Sequence, residues 1–127
     1  MISAAHYTEA IDTPLNIALR KTLSQKFGKD AVPDTGMIGA FDGMRLVYEA
    51  VAKIGPKFTG DQALALWKGM KFDSPRGPVM IDPQTRDIGQ NVYLRRVEQR
   101  DGKLVNVNVA TTPMVKDPCK DWYPDSK

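Results

Sequence analysis

The fold is decided by residues 70–109, which read MKFDSPRGPVMIDPQTRDIGQNVYLRRVEQRDGKLVNVNV. Near the end of this stretch, Asp101-Gly102 is a dipeptide that favours a two-residue hairpin turn, because both central residues of such a turn need a positive φ. The flanking segments 91–99 and 103–110 are therefore predicted to be paired strands. The rest of the chain is interpreted outward from this hairpin.

Side chains alternate along the second strand of the hairpin. Val105, Val107 and Val109 are separated by Asn106 and Asn108. Because successive side chains of a strand point to opposite faces, this alternation predicts one dry face and one wet face.

Two further turns precede the hairpin. Ser74-Pro75-Arg76-Gly77 fits a type I turn, with proline at its second position and glycine at its fourth. It is predicted to join short strands at 71–73 and 79–81. Asp82-Pro83-Gln84-Thr85 is predicted to be the next turn, so this region consists of short strands.

Upstream, the pattern changes to a helical period. Thr13 is a natural N-cap with Pro14 at the first helical position, and Gly28 offers a C-cap. Apolar residues recur at every fourth position between them: Leu15, Leu19, Leu23 and Phe27. The sequence therefore predicts an amphipathic helix with one buried stripe.

A second helix is predicted from Met37 to Ile54, ending at Gly55-Pro56. Its apolar residues are Met37, Phe41, Met44, Val47, Tyr48, Val51 and Ile54. Because so much of its circumference is apolar, we expect it to be the most buried helix and to need cover on more than one side.

A third helix begins at Thr59, where Gln62 stands three residues on as in a capping box. A short strand, Ile2–Tyr7, precedes all three helices. One strand, three helices and late short strands make a poor closed sheet, so we expect unpaired edges and apolar faces to be covered by a second copy, with strand exchange as one route.

Composition sets limits on function. The chain has 127 residues, of which 42% are hydrophobic and 26% charged, with a net charge of +3. These values suit one globular domain without membrane insertion, and they create no strong field toward nucleic acid. The basic residues around the turns and hairpin are interpreted as a solvated face rather than a nucleic-acid surface: Arg76, Arg86, Arg95, Arg96, Arg100 and Lys103.

The side chains that carry chemistry are few. His6 is the only histidine and Cys119 the only cysteine, so neither a catalytic triad nor a cysteine or histidine metal site is expected. No glycine-rich phosphate loop follows a strand. Asp42, in an apolar helix, needs either a structural partner or a ligand. We predict no enzyme, no cofactor and no metal.

Several motifs resemble the carboxy-terminal region of bacterial ABC-transporter solute-binding proteins of the branched-chain amino-acid class. They lie at 68–78, 81–87, 90–93 and 101–106, together with Phe41-Asp42-Gly43 and the strand Ile2–Tyr7. The resemblance implies a partial type I periplasmic-binding-protein fold, an α/β fold completed by self-association, of which this chain supplies the last third.

The resemblance also implies an organisation. Residues 1–8 would be a hinge strand, 13–70 the helical part of lobe one, 71–112 strands and hairpin returning through the hinge, and 113–127 a tail. Such proteins clamp a small solute between two lobes and deliver it to an ABC permease in the membrane. A periplasmic location follows, although residues 1–7 carry no secretory signal.

Two functions follow from these patterns. One is non-catalytic binding of branched-chain amino acids or related solutes, with Ala5, His6 and Tyr7 at the hinge-side lip of the cleft, where a strand end offers backbone groups and a ring. A purely structural His6 is the alternative for that residue. The other function is a self-associating interaction module, a homo-oligomer with no ligand site.

Overall fold

The computed structural model describes residues 1–119, so the end of the predicted tail lies outside the described residues. Its elements in chain order are β1 (Ile2–Ala5), α1 (Pro14–Phe27), α2 (Thr35–Ile54), α3 (Gly60–Trp67), β2 (Lys71–Ser74), β3 (Gly77–Ile81), β4 (Ile88–Arg100) and β5 (Lys103–Val115). The predicted order of one strand, three helices and late strands is confirmed. The first strand ends at Ala5, two residues earlier than predicted.

The strands form one antiparallel sheet built on β4. Along one edge of β4, β3 pairs with its first residues and β1 with its later ones, so that Val79 faces Gln90 and Ala5 faces Tyr93. The other edge pairs with β5 along nearly its whole length. As a result, the end of β1 and the turn between β2 and β3 meet beside Tyr93.

Local capping chemistry fixes the helix ends. Thr13 Oγ1 accepts from the backbone N–H of Asn16 at 3.1 Å and donates to the carbonyl of Pro75 at 2.8 Å, which ties the first turn of α1 to the sheet. At the other end of α1, the Gly28 N–H donates to the Ser24 carbonyl and closes the last turn of the helix. Both caps are where the sequence predicts them.

The capping box of α3 is also confirmed. The Gln62 N–H donates to Thr59 Oγ1, and the Thr59 N–H donates to Gln62 Oε1 at 2.8 Å. At α2, Asp34 is the N-cap, and its carboxylate accepts from the Met37 N–H at 2.8 Å. This helix therefore begins at Thr35, two residues before the predicted start.

Burial on α1 is less complete than predicted. Leu23 is buried and Leu19 packs against the core, but Phe27 is 73% exposed. The helix packs against β2 and is tied to the sheet at its first turn, which leaves its last turn without cover. The predicted buried stripe therefore stops one turn short.

The prediction that α2 is the most buried helix is wrong. Its fully buried residues are Ile38, Asp42 and Ala50. The predicted apolar positions lie elsewhere on the circumference of the helix, and most of them are exposed: Met37, Phe41, Met44, Tyr48, Val51 and Ile54. The rest of the described chain covers only one face of α2.

The hairpin forms at the predicted turn. Arg100 pairs with Lys103, and Asp101 and Gly102 have φ values of 50° and 77°, as a two-residue turn of this kind requires. The predicted alternation of dry and wet faces is wrong for β5, because Val105, Asn106 and Val107 are all half-buried and residues 108 and 109 are exposed. Leu94 pairs with Ala110 and Arg95 with Asn108.

Val109 is therefore an extra residue in the ladder. Such a bulge shifts the alternation, and Val109 is 44% exposed.

The core is small. It consists of Tyr7, Ile11, Ile38 and Tyr93, with Leu19 packed against it. Within residues 1–119, none of the helices is long and apolar enough to cross a membrane. The core lies directly beneath the place where the end of β1 meets β4, and this junction carries the candidate site.

Candidate functional site

A buried ion pair connects α2 to the turn between β2 and β3. Asp42 Oδ2 accepts from Arg76 Nη2 at 2.6 Å and from Arg76 Nε at 2.9 Å, and it also accepts from the Ser74 hydroxyl at 3.0 Å. The side chains of Arg76 and Asp42 are 6% and 5% exposed. Three charge-assisted hydrogen bonds thus converge on one oxygen out of contact with water.

The same arginine is fixed to β4. Arg76 Nη1 donates to Gln90 Oε1 at 2.5 Å, and the Tyr93 hydroxyl donates to the Arg76 carbonyl at 2.5 Å. Gly77 lets the chain pass close to Tyr93, because an added Cβ there would lie 2.8 Å from the Tyr93 hydroxyl. The turn is therefore held on two sides, by α2 and by β4.

Of the two interpretations of Asp42, the structure shows the structural partner. The prediction that Arg76 lies on a solvated face is wrong, because Arg76 is 5% exposed and its guanidinium neutralises Asp42. An acidic residue in an apolar helix signalled that a partner was needed, but nothing in the sequence pointed to Arg76 rather than another basic residue.

His6 follows the last residue of β1 and is half-buried. Burial lowers the pKa of its imidazole below 6.5, and the positive charges of Arg76 and Arg95 lower it further. At neutral pH the ring is therefore uncharged, with one nitrogen that donates and one that accepts a hydrogen bond.

Arg95, on β4, forms hydrogen bonds with β1 and with the residues that follow it. Its Nη1 donates to the Tyr7 carbonyl at 3.0 Å and its Nη2 to the Ser3 hydroxyl at 3.1 Å. Its Nε is buried without a hydrogen-bond partner among the described residues. The sequence placed Arg95 on the hairpin and gave no signal that it would reach across to β1.

Tyr7 lies in the core rather than at a surface. Its hydroxyl donates to Asn16 Oδ1 at 2.7 Å, and Asn16 Nδ2 donates to the Ile11 carbonyl at 2.7 Å. Burial, followed by the negative charge of Glu9, raises the pKa of Tyr7 to about 12. The Tyr7 ring thus anchors the segment after β1, whereas His6 and the neighbouring backbone remain closer to the surface.

Ala5 is half-buried and pairs with Tyr93 in the sheet. The structure therefore brings Ala5 and His6 together with Arg76 and Arg95, and it turns the Tyr7 side chain away from them. A role of these residues in binding a ligand stays a prediction.

On the helical side of the molecule, α1 and α2 form an apolar groove of about 650 Å³. Its lining residues are Leu19, Leu23, Met37, Ala40, Phe41, Met44, Arg45 and Tyr48. Arg45 is the one charged residue among them. Its guanidinium lies 5.4 Å from the centre of the Phe72 ring and donates to the Asp73 carbonyl.

The titratable groups of residues 1–119 include no cluster of three histidine, cysteine or acidic residues that could hold a metal ion. The polar groups at the end of β1 are hydrogen-bond donors, a neutral imidazole and two guanidinium groups. The donors of Arg76 are taken by Asp42 and Gln90, so the groups left for other partners are the His6 imidazole and the Arg95 Nε.

The described residues form a mixed α/β chain of three helices and one antiparallel sheet. A family model described as periplasmic binding protein matches residues 1–103, and the chain belongs to that family. It is 35% identical over 119 residues to the Leu/Ile/Val-binding protein homolog 6 of Brucella abortus (strain 2308), a match that covers 93% of this chain and 30% of that protein.

Two solved structures are more similar in sequence. The solute binding protein of an ABC transporter from Rhodopseudomonas palustris BisB5, in complex with 3,4-dihydroxybenzoic acid, superposes with a TM-score of 0.88 at 43% identity, over 94% of this chain and 32% of that one. Its counterpart from strain HaA2, in complex with p-hydroxybenzoic acid, gives a TM-score of 0.79 at 43% identity over 90% and 31%.

The predicted partial type I periplasmic-binding-protein fold is thereby confirmed. The chain spans about a third of the length of the relatives it matches.

Proposed function

We propose that this chain is part of the solute-binding component of an ABC transporter and that it binds solute without catalysis. The observation that carries the proposal is its 43% identity, over 94% of its length, to a solute-binding protein in complex with an aromatic acid. A permease partner and a periplasmic location belong to the same proposal, and they rest on the family.

The solute we propose is a small carboxylate. The curated relative is named for leucine, isoleucine and valine, whereas the two solved relatives hold hydroxybenzoic acids. A carboxylate is common to these compounds, and it is the group that donors in a positive field recognise. Branched-chain amino acids and aromatic acids are therefore the two solute classes to compare.

The residues we propose for this chain's share of the site are Ala5, His6 and the main chain of Tyr7. His6 supports the assignment because its neutral ring can donate to a carboxylate, while Arg95, whose Nε has no hydrogen-bond partner among the described residues, supplies positive charge. The Tyr7 side chain, hydrogen-bonded to Asn16, positions this segment rather than contacting the solute.

Thermal denaturation with added ligand tests this proposal. The panel is leucine, isoleucine, valine, 4-hydroxybenzoate and 3,4-dihydroxybenzoate. A ligand that binds only the folded state raises the unfolding temperature progressively with concentration. We expect such a rise with at least one carboxylate, and about a tenfold weaker apparent affinity for His6→Ala than for the control Lys53→Ala, which alters an exposed side chain on α2.

A second candidate function is a self-associating module with no solute site. The exposed apolar residues of α2, together with Leu104 and Val109 on β5, favour it. Sedimentation across a range of concentrations tests it: a dimer that dissociates on dilution supports self-association, and a compact monomer at every concentration contradicts it.

A further inference from the structure

A path of contacts leads from the end of β1 to the first turn of α1. Ala5 pairs with Tyr93 in the sheet, and the Tyr93 hydroxyl donates to the Arg76 carbonyl. The carbonyl of the preceding residue, Pro75, accepts from the Thr13 hydroxyl at 2.8 Å. The turn between β2 and β3 therefore touches both β1's partner strand and α1.

The same path returns to β1 through α1. Thr13 Oγ1 accepts from the Asn16 N–H at 3.1 Å, and Asn16 Oδ1 accepts from the Tyr7 hydroxyl at 2.7 Å. Tyr7 and Ala5 are the chain neighbours of His6. The path is therefore a closed ring that passes through His6, and it is here called the His6 ring.

One half of the His6 ring is held independently of α1. The side chain of Arg76 is bonded to Asp42 on α2 and to Gln90 on β4, and Arg76 is 5% exposed. The turn that carries Arg76 thus has fixed partners on two other elements, and it provides a firm base for anything attached to it.

The other half depends on α1. Residues 7–11 lie between β1 and α1 and belong to neither element. The fully buried amide of Asn16 holds them, since its Nδ2 donates to the carbonyls of Glu9 at 3.1 Å and of Ile11 at 2.7 Å. A shift of the first turn of α1 would therefore carry this segment with it.

Thr13 joins the two halves. Among the hydrogen bonds of residues 1–119, the one from Thr13 Oγ1 to the Pro75 carbonyl connects the first turn of α1 to the turn between β2 and β3. An N-cap needs only an acceptor, and the Asp34 carboxylate supplies no more than that at α2. A hydroxyl also donates, so Thr13 does more than cap its helix.

We infer that Thr13 is a positioning residue whose hydroxyl sets His6 against the turn that carries Arg76. Its importance for solute rests on the proposed function, because His6 and the main chain of Tyr7 are the groups proposed to contact the carboxylate. Binding groups must be held closely by the residues behind them if they are to meet a ligand in one geometry.

Titration of His6 by NMR tests this inference. In the wild-type chain the pKa of His6 lies below 6.5, because of burial and because Arg76 on the turn and Arg95 on β4 are positive. Thr13→Val keeps the shape of the side chain and removes the hydroxyl, so the pKa should rise toward 6.5. Thr13→Ser restores the hydroxyl and should titrate as the wild type does.

Two further variants separate the ring from the cap. Thr59→Val makes the same substitution at the exposed N-cap of α3, and it should lower the unfolding temperature without changing the titration of His6. Thr13→Gly leaves a residue that is nearly as good an N-cap but cannot donate to Pro75. It should fold and should raise the pKa of His6, even if Thr13→Val does not fold.

The solute provides a second measurement. Thermal denaturation with the carboxylate that stabilises the wild type should give an apparent affinity at least about fivefold weaker for Thr13→Gly, the lower end of what coupling between groups produces in proteins. Thr13→Ser and Thr59→Val should keep the wild-type affinity.

Four results would overturn the inference: an unchanged pKa of His6 in Thr13→Gly, an equal rise in Thr59→Val, a Thr13→Ser variant that titrates as Thr13→Gly does, and an unchanged affinity of Thr13→Gly for a solute that the wild type binds. A wild-type chain that responds to no carboxylate would instead contradict the proposed function, and the titration would still decide whether Thr13 positions His6.

Discussion

His6 is the side chain whose chemistry changes most readily near neutral pH. It is the only histidine of the chain, and burial together with Arg76 and Arg95 lowers its pKa from 6.5. The folded state therefore resists a proton that the unfolded chain accepts. The corresponding stability is present above pH 6.5 and is lost as the pH falls through the lower pKa of the folded state.

The pH dependence of unfolding checks this account of His6. The free energy of unfolding of the wild-type chain should fall between pH 7 and pH 5, and the fall should be smaller in His6→Gln, which keeps a polar side chain without a titrating group. Urea denaturation at both pH values measures the difference. Equal pH dependence of the two proteins would show that His6 is not held in the environment described.

Loss of the buried Asp42–Arg76 pair should lower the free energy of unfolding strongly. Asp42→Ala removes the carboxylate that accepts from Arg76 and Ser74, and it leaves a guanidinium buried without its charge partner. Breaking such a pair costs roughly 3–5 kcal/mol. Urea denaturation should show this loss, which is a large part of the roughly 5–15 kcal/mol that stabilises a typical domain.

The control for Asp42 is Glu49, which pairs with Lys53 at 3.2 Å near the end of the same helix and is only partly buried. Glu49→Ala should cost no more than about 0.5 kcal/mol, as exposed pairs one helical turn apart do. Similar losses for the two variants would contradict the role assigned to the buried pair.

Among the elements, hairpin β4–β5 was predictable and its irregularity was not. Asp101-Gly102 specifies its turn through backbone conformation alone, which is a local property. The bulge at Val109 depends on how β5 pairs with β4 beyond the turn. The alternation of valines in the sequence does not predict it. The ends of α1 and α3 were predictable for the same reason as the turn, because caps are local hydrogen bonds.

A substitution of Gly77 tests how closely the turn between β2 and β3 packs against Tyr93. Gly77 has a φ of 101°, and a Cβ added there would meet the Tyr93 hydroxyl at 2.8 Å. Gly77→Ala should therefore combine backbone strain with a steric clash and destabilise the fold by about 2–3 kcal/mol.

Gly102 provides the comparison, since its φ is also positive, 77°, but open space surrounds it. Gly102→Ala should cost about 1 kcal/mol through backbone strain alone. Denaturation curves of the two variants give the ranking directly, and a loss for Gly102→Ala equal to or larger than that for Gly77→Ala would contradict the close packing at Tyr93.

For the molecule as a whole, the sequence predicted the class of fold but not the distribution of burial. The apolar pattern of α2 shows that the helix needs cover on more than one side, and it cannot show which face this chain covers itself. Pairing over long sequence separations, such as Arg76 with Asp42 or Arg95 with Tyr7, likewise depends on tertiary contacts. The candidate site consists mainly of such contacts.

The most direct measurement is thermal denaturation of the chain with the five carboxylates. We expect an unfolding temperature that rises with the concentration of at least one carboxylate, and a smaller rise for His6→Ala than for Lys53→Ala. An unchanged unfolding temperature with every ligand, up to millimolar concentrations, would contradict the proposed function.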